Sequence, residues 1–250
     1  MASGSKSVGV NQMSQVAIDI PIALQPTETT CGPTCLQAVY AFYGDQVSVA
    51  ELVQRVPSLL NGGTLAVILG RDALQRGYHV KIYTFNLHVV DPTWFNPPKS
   101  DLAIRLLRRG ESCRSRRQRT AINAYRHYIE EGGELQMEDL CPRLLVDHLS
   151  NRRPILAGLS STYLYQSSRE DPVTNFDDDI LGDPAGHFVI LAGYNSDSDT
   201  VLVADPYFNP FTPGSHYQVP WNRLVAAILL GAMTYDANLL VLSPTEGSST

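Results

Sequence analysis

A predicted β-hairpin in the last third of the chain constrains the fold more than any other feature. Residues 187–194 form an apolar run typical of a buried strand, residues 195–200 have the composition of a turn, and residues 201–205 return as a second strand. In an antiparallel hairpin of two similar strands, the start of the first strand lies beside the end of the second. We therefore expect the side chains of His187 and Asp205 to be neighbours.

The rest of the chain mixes helical and extended patterns, with helices prevailing in the first part and strands in the second. The predicted helices cover residues 32–42, 48–56, 64–77, 102–109, 120–131, 138–149 and 221–230. The predicted strands cover residues 17–22, 80–85, 154–159 and 238–242, in addition to the hairpin. This order of elements predicts the α+β fold class.

Cys31 begins the first predicted helix, where a thiol can be reactive. Unsatisfied backbone N–H groups and the positive end of the helix dipole favour the thiolate, which is the nucleophilic form. Gly32 removes side-chain bulk beside the sulfur, so a substrate carbonyl could approach the backbone there. Taken alone, Cys31 also fits a small buried side chain.

A thiolate nucleophile needs a base that later returns the proton, and histidine does this near neutral pH. His187 has the most suitable position, because it starts an apolar strand directly after Gly186 at the mouth of a loop. Asp205 can orient the imidazole, and Gln25 can donate an N–H to a developing oxyanion together with the amide of Cys31. Each residue alone has a simpler explanation as a solvated or hydrogen-bonded side chain.

Three segments resemble sequence boxes of the C39-type cysteine peptidases, within the papain-like group. Residues 25–36 are similar to the Gln…Cys-Gly-Pro box of that family, residues 186–194 to its His box, and residues 203–206 to its Asp-Pro box. The order Gln, Cys, His, Asp along the chain also agrees. The likeness extends roughly over residues 20–85 and 138–242.

This resemblance implies a papain-like fold, in which an N-terminal helical part carries the Cys31 helix, packed on an antiparallel sheet with His187 and Asp205. It implies a cysteine hydrolase that cleaves a peptide or amide bond through an acyl-thioester on Cys31, without cofactor or metal. His187 would act as base and acid, Asp205 would orient it, and Gln25 would hold the oxyanion. An acyl or peptidyl transferase with the same site and a non-catalytic peptide-binding module stay open as alternatives.

The best-known members of that family are domains of membrane exporters, whereas we expect this chain to be a stand-alone soluble, cytoplasmic member. Residues 1–15 are polar, which predicts a disordered lead-in rather than an export signal. A single C39-like domain is expected over residues 16–245, with an Arg-rich insertion at about 87–135. The longest apolar run, residues 225–233, is about half as long as a membrane span.

Composition limits the classes of molecule that this chain is expected to bind. The net charge of −6 argues against nucleic-acid binding, so a peptide or protein substrate is the expected partner. The four cysteines lack zinc-site spacing and do not form a disulfide framework, which predicts free thiols. Cys35, one helical turn after Cys31, is expected to be a buried helix contact, with a redox partnership as the alternative. The sequence carries no signal for an oligomeric state.

Arginines concentrate in the predicted insertion of this otherwise acidic chain. They are Arg105, Arg108, Arg109, Arg114, Arg116, Arg117, Arg119 and Arg126. Because guanidinium groups bind carboxylates through paired hydrogen bonds, Arg114, Arg116 and Arg117 are candidate contacts for an acidic substrate. A solvated loop is the alternative.

Two further features adjoin the predicted site. Gly32 and Gly186 are candidate substrate contacts, since each directly neighbours a predicted catalytic residue. Residues 177–179 and Asp183 form an acidic stretch that could bind calcium, but the spacing differs from an EF-hand. A solvated acidic loop is the simpler interpretation of that stretch, and pairing with the arginines is a third.

Overall fold

The computed structural model describes residues 15–59, 63–97, 101–174, 176–208 and 214–245. The predicted disordered lead-in therefore lies outside the described residues, except for Gln15, which begins the first strand. Within the described ranges, no helix has both the length and the apolar character that crossing a bilayer requires.

Helices and strands are interspersed along the chain, with several consecutive helices in its first half and three consecutive strands in its second half. The helices are α1 (Cys31–Phe42), α2 (Val49–Arg55), α3 (Ala66–Gln75), α4 (Leu102–Ser112), α5 (Arg116–Glu130), α6 (Pro142–Ser150), α7 (Ser161–Tyr165) and α8 (Trp221–Leu230). The strands are β1 (Gln15–Ala17), β2 (Tyr78–Thr84), β3 (Glu134–Gln136), β4 (Ile155–Ser160), β5 (Gly186–Asn195), β6 (Thr200–Ala204), β7 (His216–Pro220) and β8 (Asn238–Pro244).

These strands form one sheet in the order β3-β2-β8-β4-β5-β6-β7, and β1 pairs with the end of β5. The strand pairs are antiparallel, except that β2 and β3 run parallel. The predicted α+β class is confirmed, with the parallel edge strand β3 as a difference from the expected antiparallel sheet. The strand predicted at 17–22 is wrong beyond Ala17, because β1 ends there and is followed by a single further hydrogen bond to β5, from Ile18 N to Ala192 O (2.8 Å).

The predicted hairpin is formed by β5 and β6, but its strands are unequal, with 10 and 5 residues. Ile190 pairs with Ala204, and a β-bulge interrupts the ladder between Leu191 and Gly193. His187 therefore lies beyond the part of β5 that pairs with β6, and it pairs with Leu159 of β4 on the other side. The first residues of β5 therefore lie beside the segment that follows β6, which contains Asp205, instead of beside β6 itself.

Helix α1 packs on β5 and places Cys31 near the start of that strand. Its buried face includes Leu36 and Val39, each of which contributes roughly 1.5–3 kcal/mol by leaving water. Gly32 makes the close approach possible, because a Cβ there would lie 2.7 Å from Thr64 Cγ2 and 3.3 Å from Phe188 Cδ2. The sequence Cys-Gly at the helix start therefore has a packing reason.

Helices α4 and α5 form the region that we predicted to be an Arg-rich insertion. Helix α5 packs on α3, and the hydroxyl of its buried Tyr128 lies within hydrogen-bond distance of Val80 O (3.0 Å) and Glu134 O (2.9 Å), to either of which it can donate its single proton. The hydroxyl of Tyr125 likewise reaches Asn238 Oδ1 in β8, at 2.9 Å. This region thus shares the core of the rest of the chain, and the boundaries of the insertion stay a prediction.

Candidate active site

Cys31 is the first residue of α1 and is almost completely buried, with 6% of its surface exposed. Thr30 precedes the helix, but its side chain does not cap it. Its hydroxyl instead donates to Thr27 O (2.8 Å) and accepts from Thr27 N (3.0 Å). The first amides of α1 therefore receive no acceptor from the Thr30 side chain, which leaves the positive end of the helix facing the thiol.

His187 and Asp205 are direct hydrogen-bond partners. His187 Nε2 lies 2.8 Å from Asp205 Oδ1, and both side chains are buried. Cys31 lies close enough to His187 for its charge to raise the pKa of the imidazole. Because Nε2 faces Asp205, Nδ1 is the ring nitrogen left for the Cys31 sulfur. The structure thus brings these three predicted residues together in the order Cys31, His187, Asp205.

The charges of Cys31, His187 and Asp205 shift one another's pKa values towards the ionised forms of His187 and Asp205. Burial alone would lower the pKa of His187, but the charge of Cys31 and the hydrogen bond to Asp205 outweigh it and raise this pKa to about 10. Burial acts to raise the pKa of Asp205, yet the hydrogen bond and charge of His187 hold it below its usual range. The arrangement therefore favours a protonated imidazole beside an ionised carboxylate at neutral pH.

Asp205 is fully buried, and each of its two carboxylate oxygens accepts two hydrogen bonds. Oδ1 accepts from His187 and from the backbone N of Tyr207 (2.9 Å). Oδ2 accepts from the hydroxyls of Tyr165 (2.8 Å) and Tyr217 (2.6 Å). The two tyrosines were not predicted from the sequence, because neither lies in a motif that could have identified it.

Aromatic rings surround the imidazole. The ring centroids of Tyr165 and Tyr207 lie 6.0 Å and 6.2 Å from that of His187, and 6.1 Å from each other. These rings leave the imidazole little room to turn.

Gln25 is anchored beside the loop that carries Asp205. Its backbone N donates to Pro206 O at 2.8 Å. Its side-chain Nε2 donates to Thr27 O at 2.9 Å, whereas Oε1 is buried without a hydrogen-bond partner. Since a carboxamide has two N–H donors, one of them stays available after the bond to Thr27.

At both candidate glycines, neighbouring side chains occupy the space that a Cβ would need. Gly32 is buried against Thr64 and Phe188, as described above, and a Cβ at Gly186 would lie 2.7 Å from Thr234 Oγ1. Gly186 is exposed at the start of β5, directly before His187. Packing therefore explains Gly32 without a substrate, and contact with a substrate stays a prediction for both positions.

The three candidate arginines lie at and before the start of α5 with exposed side chains. Arg117 lies over the ring of Tyr235, 5.2 Å from its centroid. Across the described residues, no hydrogen bond or ion pair connects Arg114, Arg116 or Arg117 to Cys31, His187 or Asp205. Arg116 and Arg117 belong to a helix rather than to the solvated loop that we considered as the alternative.

The remaining cysteines and acidic residues have local roles. Cys35 is fully buried, donates to Phe188 O at 3.3 Å, and has a pKa raised by burial, as expected for a helix contact. All four cysteines are free.

Asp178 accepts from the backbone N of Ile180 and of Leu181, at 2.9 and 2.8 Å. Throughout the described ranges, no three His, Cys, Asp or Glu side chains are grouped to hold a metal ion.

Residues 120–227 match a family model described as the Peptidase_C39 like family. This match covers less than half of the chain and includes both His187 and Asp205, whereas Cys31 lies before it. A comparison with curated proteins found no match.

Several solved structures are similar to this chain at low sequence identity. A candidate C39-like peptidase from Bacillus anthracis superposes with a TM-score of 0.50 and 13% identity, covering 92% of this chain and 98% of the other. A double glycine motif protease from an AMS/PCAT transporter, in complex with the leader peptide, gives 0.45 and 13%, covering 92% and 95%. The cysteine protease xylellain from Xylella fastidiosa gives 0.43 and 11%, covering 93% and 87%.

The family match and the fold agree with the motifs read from the sequence. The family model covers the hairpin that carries His187 and Asp205. The fold of the Bacillus anthracis protein extends over nearly the whole chain. The resemblance of this protein to the C39-like cysteine peptidases is thereby confirmed.

Proposed function

We propose that this protein is a cysteine hydrolase that cleaves a peptide or amide bond. The observation that carries the proposal is the 2.8 Å hydrogen bond between His187 Nε2 and Asp205 Oδ1, in an imidazole whose pKa is also raised by the charge of Cys31. This is the arrangement that a thiol nucleophile, its base and an orienting acid require.

In the first half of the reaction, the Cys31 thiolate attacks the carbonyl carbon of the scissile bond. The negative charge that develops on the carbonyl oxygen is held by the backbone N–H of Cys31 and by the free N–H of the Gln25 carboxamide. The His187 imidazolium then donates its proton to the leaving amine, and an acyl-thioester on Cys31 is formed.

In the second half, the neutral His187 accepts a proton from a water molecule, which attacks the thioester carbonyl. The tetrahedral species collapses, the carboxylic acid leaves, and the thiolate–imidazolium pair is restored. Asp205 keeps Nε2 of the imidazole bonded throughout, so that Nδ1 stays directed at the sulfur.

The proposal is tested by incubating the protein with a mixed library of synthetic peptides and identifying new termini by mass spectrometry. Cleavage by the natural chain, and its loss in Cys31→Ala with retention in Cys35→Ala, is the expected result. Cys35 is a matched control because it is a free thiol on the same helix. Cleavage that survives in Cys31→Ala would contradict the proposal.

The same experiment separates hydrolysis from acyl transfer when a soluble amine is added. A hydrolase forms the free carboxylic acid with and without the amine, whereas a transferase converts the acyl group into the amine adduct. We expect the free acid to be the main product at millimolar amine.

Recruitment of acidic peptides by Arg114, Arg116 and Arg117 is part of the proposal. It is motivated by their exposure and by the paired hydrogen bonds that guanidinium groups form with carboxylates. Changing all three to Glu is expected to raise KM for Glu-rich peptides and to leave KM for neutral peptides unchanged. Equal changes for both classes of peptide would refute the recruitment.

A further inference from the structure

Two phenol groups from distant parts of the chain meet at one oxygen of Asp205. Tyr165 is the last residue of α7, whereas Tyr217 lies in β7, next to β6. Their hydroxyls lie 2.8 Å and 2.6 Å from Asp205 Oδ2. Asp205 Oδ1 is the oxygen that faces His187, so the phenols hold the opposite side of the same carboxylate.

The burial of Asp205 makes these two bonds consequential. The residue is 0% exposed, so water cannot replace a lost donor without a local rearrangement. A buried carboxylate without hydrogen bonds becomes protonated or turns towards another donor. Either change would remove the acceptor that keeps the His187 ring in its direction.

The phenols can act only as donors at this place. Burial, followed by the charge of Asp205, raises the pKa of Tyr165 and of Tyr217 well above the usual range for tyrosine. Both hydroxyls therefore keep their protons over the whole pH range in which a thiol enzyme works. Neither can take part in proton transfer from the substrate.

We propose that Tyr165 and Tyr217 are positioning residues of the active site, which fix the Asp205 carboxylate and, through it, the His187 imidazole. The inference rests on the proposed function of Cys31, His187 and Asp205, and it adds residues that act through Asp205 without touching the substrate. Tyr165 also contacts His187 directly, because its ring lies beside the imidazole.

The arrangement explains why the two phenols converge on Oδ2 alone. With Oδ2 held from two directions, the carboxylate cannot rotate about its Cβ–Cγ bond without breaking both bonds. Oδ1 is then kept for His187 and for the backbone N of Tyr207. One phenol would leave this rotation partly open, so the two substitutions should not contribute independently.

The test compares Tyr165→Phe, Tyr217→Phe and the double variant with Tyr194→Phe. Tyr194 is a matched control, because its hydroxyl also donates to an aspartate, Asp199, at 2.9 Å, near the other end of the hairpin. The measurements are kcat and KM for a cleaved peptide, and the pH dependence of Cys31 alkylation by iodoacetamide, with the folded fraction followed by circular dichroism.

We expect each single variant to lose roughly 10-fold in kcat with little change in KM. The reason is that a hydrogen bond to a charged group is stronger than one between neutral groups. In the double variant, the acid limb of the alkylation profile should move to higher pH, because a less stabilised Asp205 supports the imidazolium less well. Tyr194→Phe should leave both the rate and the profile unchanged.

Folded Tyr165→Phe and Tyr217→Phe proteins with the kcat and pH profile of Tyr194→Phe would overturn the inference. Failure of the proposed function itself gives a different result, since His187→Ala would then leave Cys31 alkylation unchanged as well. If the double variant does not fold, the single variants and their pH profiles still decide the question.

Discussion

The two halves of the candidate site differ in how completely the protein satisfies their polar groups. On the sheet side, Asp205 is fully buried and accepts hydrogen bonds on both oxygens. On the helix side, the Thr30 side chain does not cap α1, and Gln25 Oε1 is buried without a partner. In terms of the proposed function, the acid–base half is fixed before substrate arrives, whereas the nucleophile half keeps donors and an acceptor for a bound molecule.

This difference follows from what each half does in the proposed reaction. An imidazole must keep one direction during two proton transfers, so its supports are satisfied within the fold. Oxyanion donors must instead be free to bind a charge that exists only in the transition state. Substitutions on the sheet side should therefore reduce both stability and activity, and substitutions on the helix side should reduce activity alone.

The largest effect is expected for Cys31→Ala, because no other group at the site can form the acyl intermediate. The rate of peptide cleavage should fall by a factor on the order of 10⁴ or more. The unfolding temperature should change little, since the small side chain of Ala fits the space of the thiol. Cys35→Ala reverses this pattern: it removes the hydrogen bond of a fully buried thiol to Phe188 O and should reduce the unfolding temperature while cleavage continues.

Asp205→Asn tests the sheet side, and we expect kcat to fall by about 10²–10⁴-fold. The carboxamide has one oxygen where the carboxylate has two, so some of the four donors around it lose their acceptor. Unpaired buried donors cost about 1–3 kcal/mol, which urea unfolding can measure. Unchanged stability would contradict the view that this half is completed by the fold.

Gln25→Ala tests the helix side and should lower kcat by about 10–10³-fold through loss of one oxyanion donor. Its side chain makes one hydrogen bond, to Thr27 O, and the anchoring bond to Pro206 uses the backbone, which alanine retains. Urea unfolding should therefore give the same free energy as the natural protein. A loss of stability comparable to that of Asp205→Asn would remove the distinction between the halves.

The smallest effect concerns stability in acid. The pKa of Asp205 is lowered in the folded state, so its contribution to stability is present above the ordinary aspartate value of about 4 and is lost as pH falls through the lower folded value. The unfolding temperature of the natural protein should therefore fall more steeply below pH ~4 than that of Asp205→Asn. Parallel curves for the two proteins would contradict the lowered pKa.

The parts of the fold that the sequence could predict are those encoded by local patterns. The hairpin of β5 and β6 is one, because its apolar runs and turn lie next to each other in the chain. The capping box of α2 is another, with Ser48 and Glu51 bonding each other's backbone. His187 and Asp205 could be placed together because the hairpin returns the chain to the end of the sheet at which β5 starts, although His187 lies beyond the residues of β5 that pair with β6.

The missed features depend on contacts between distant segments. Tyr165 and Tyr217 reach Asp205 from α7 and β7, which have 5 residues each and carry no periodic signal long enough to interpret. The packing reason for Gly32 likewise involves Thr64 and Phe188, far along the chain. Such convergence is decided by tertiary packing, which no single stretch of residues encodes.

The central claim is that Cys31 and His187 act as one chemical unit. The most direct measurement is the rate of Cys31 alkylation by iodoacetamide from pH 5 to 9, located by mass spectrometry, in the natural protein and in His187→Ala. We expect selective labelling of Cys31 that persists at pH 6 in the natural protein and falls by about 10-fold or more in His187→Ala, because the imidazolium supports the thiolate. Equal rates for the two proteins at pH 6 would contradict the account.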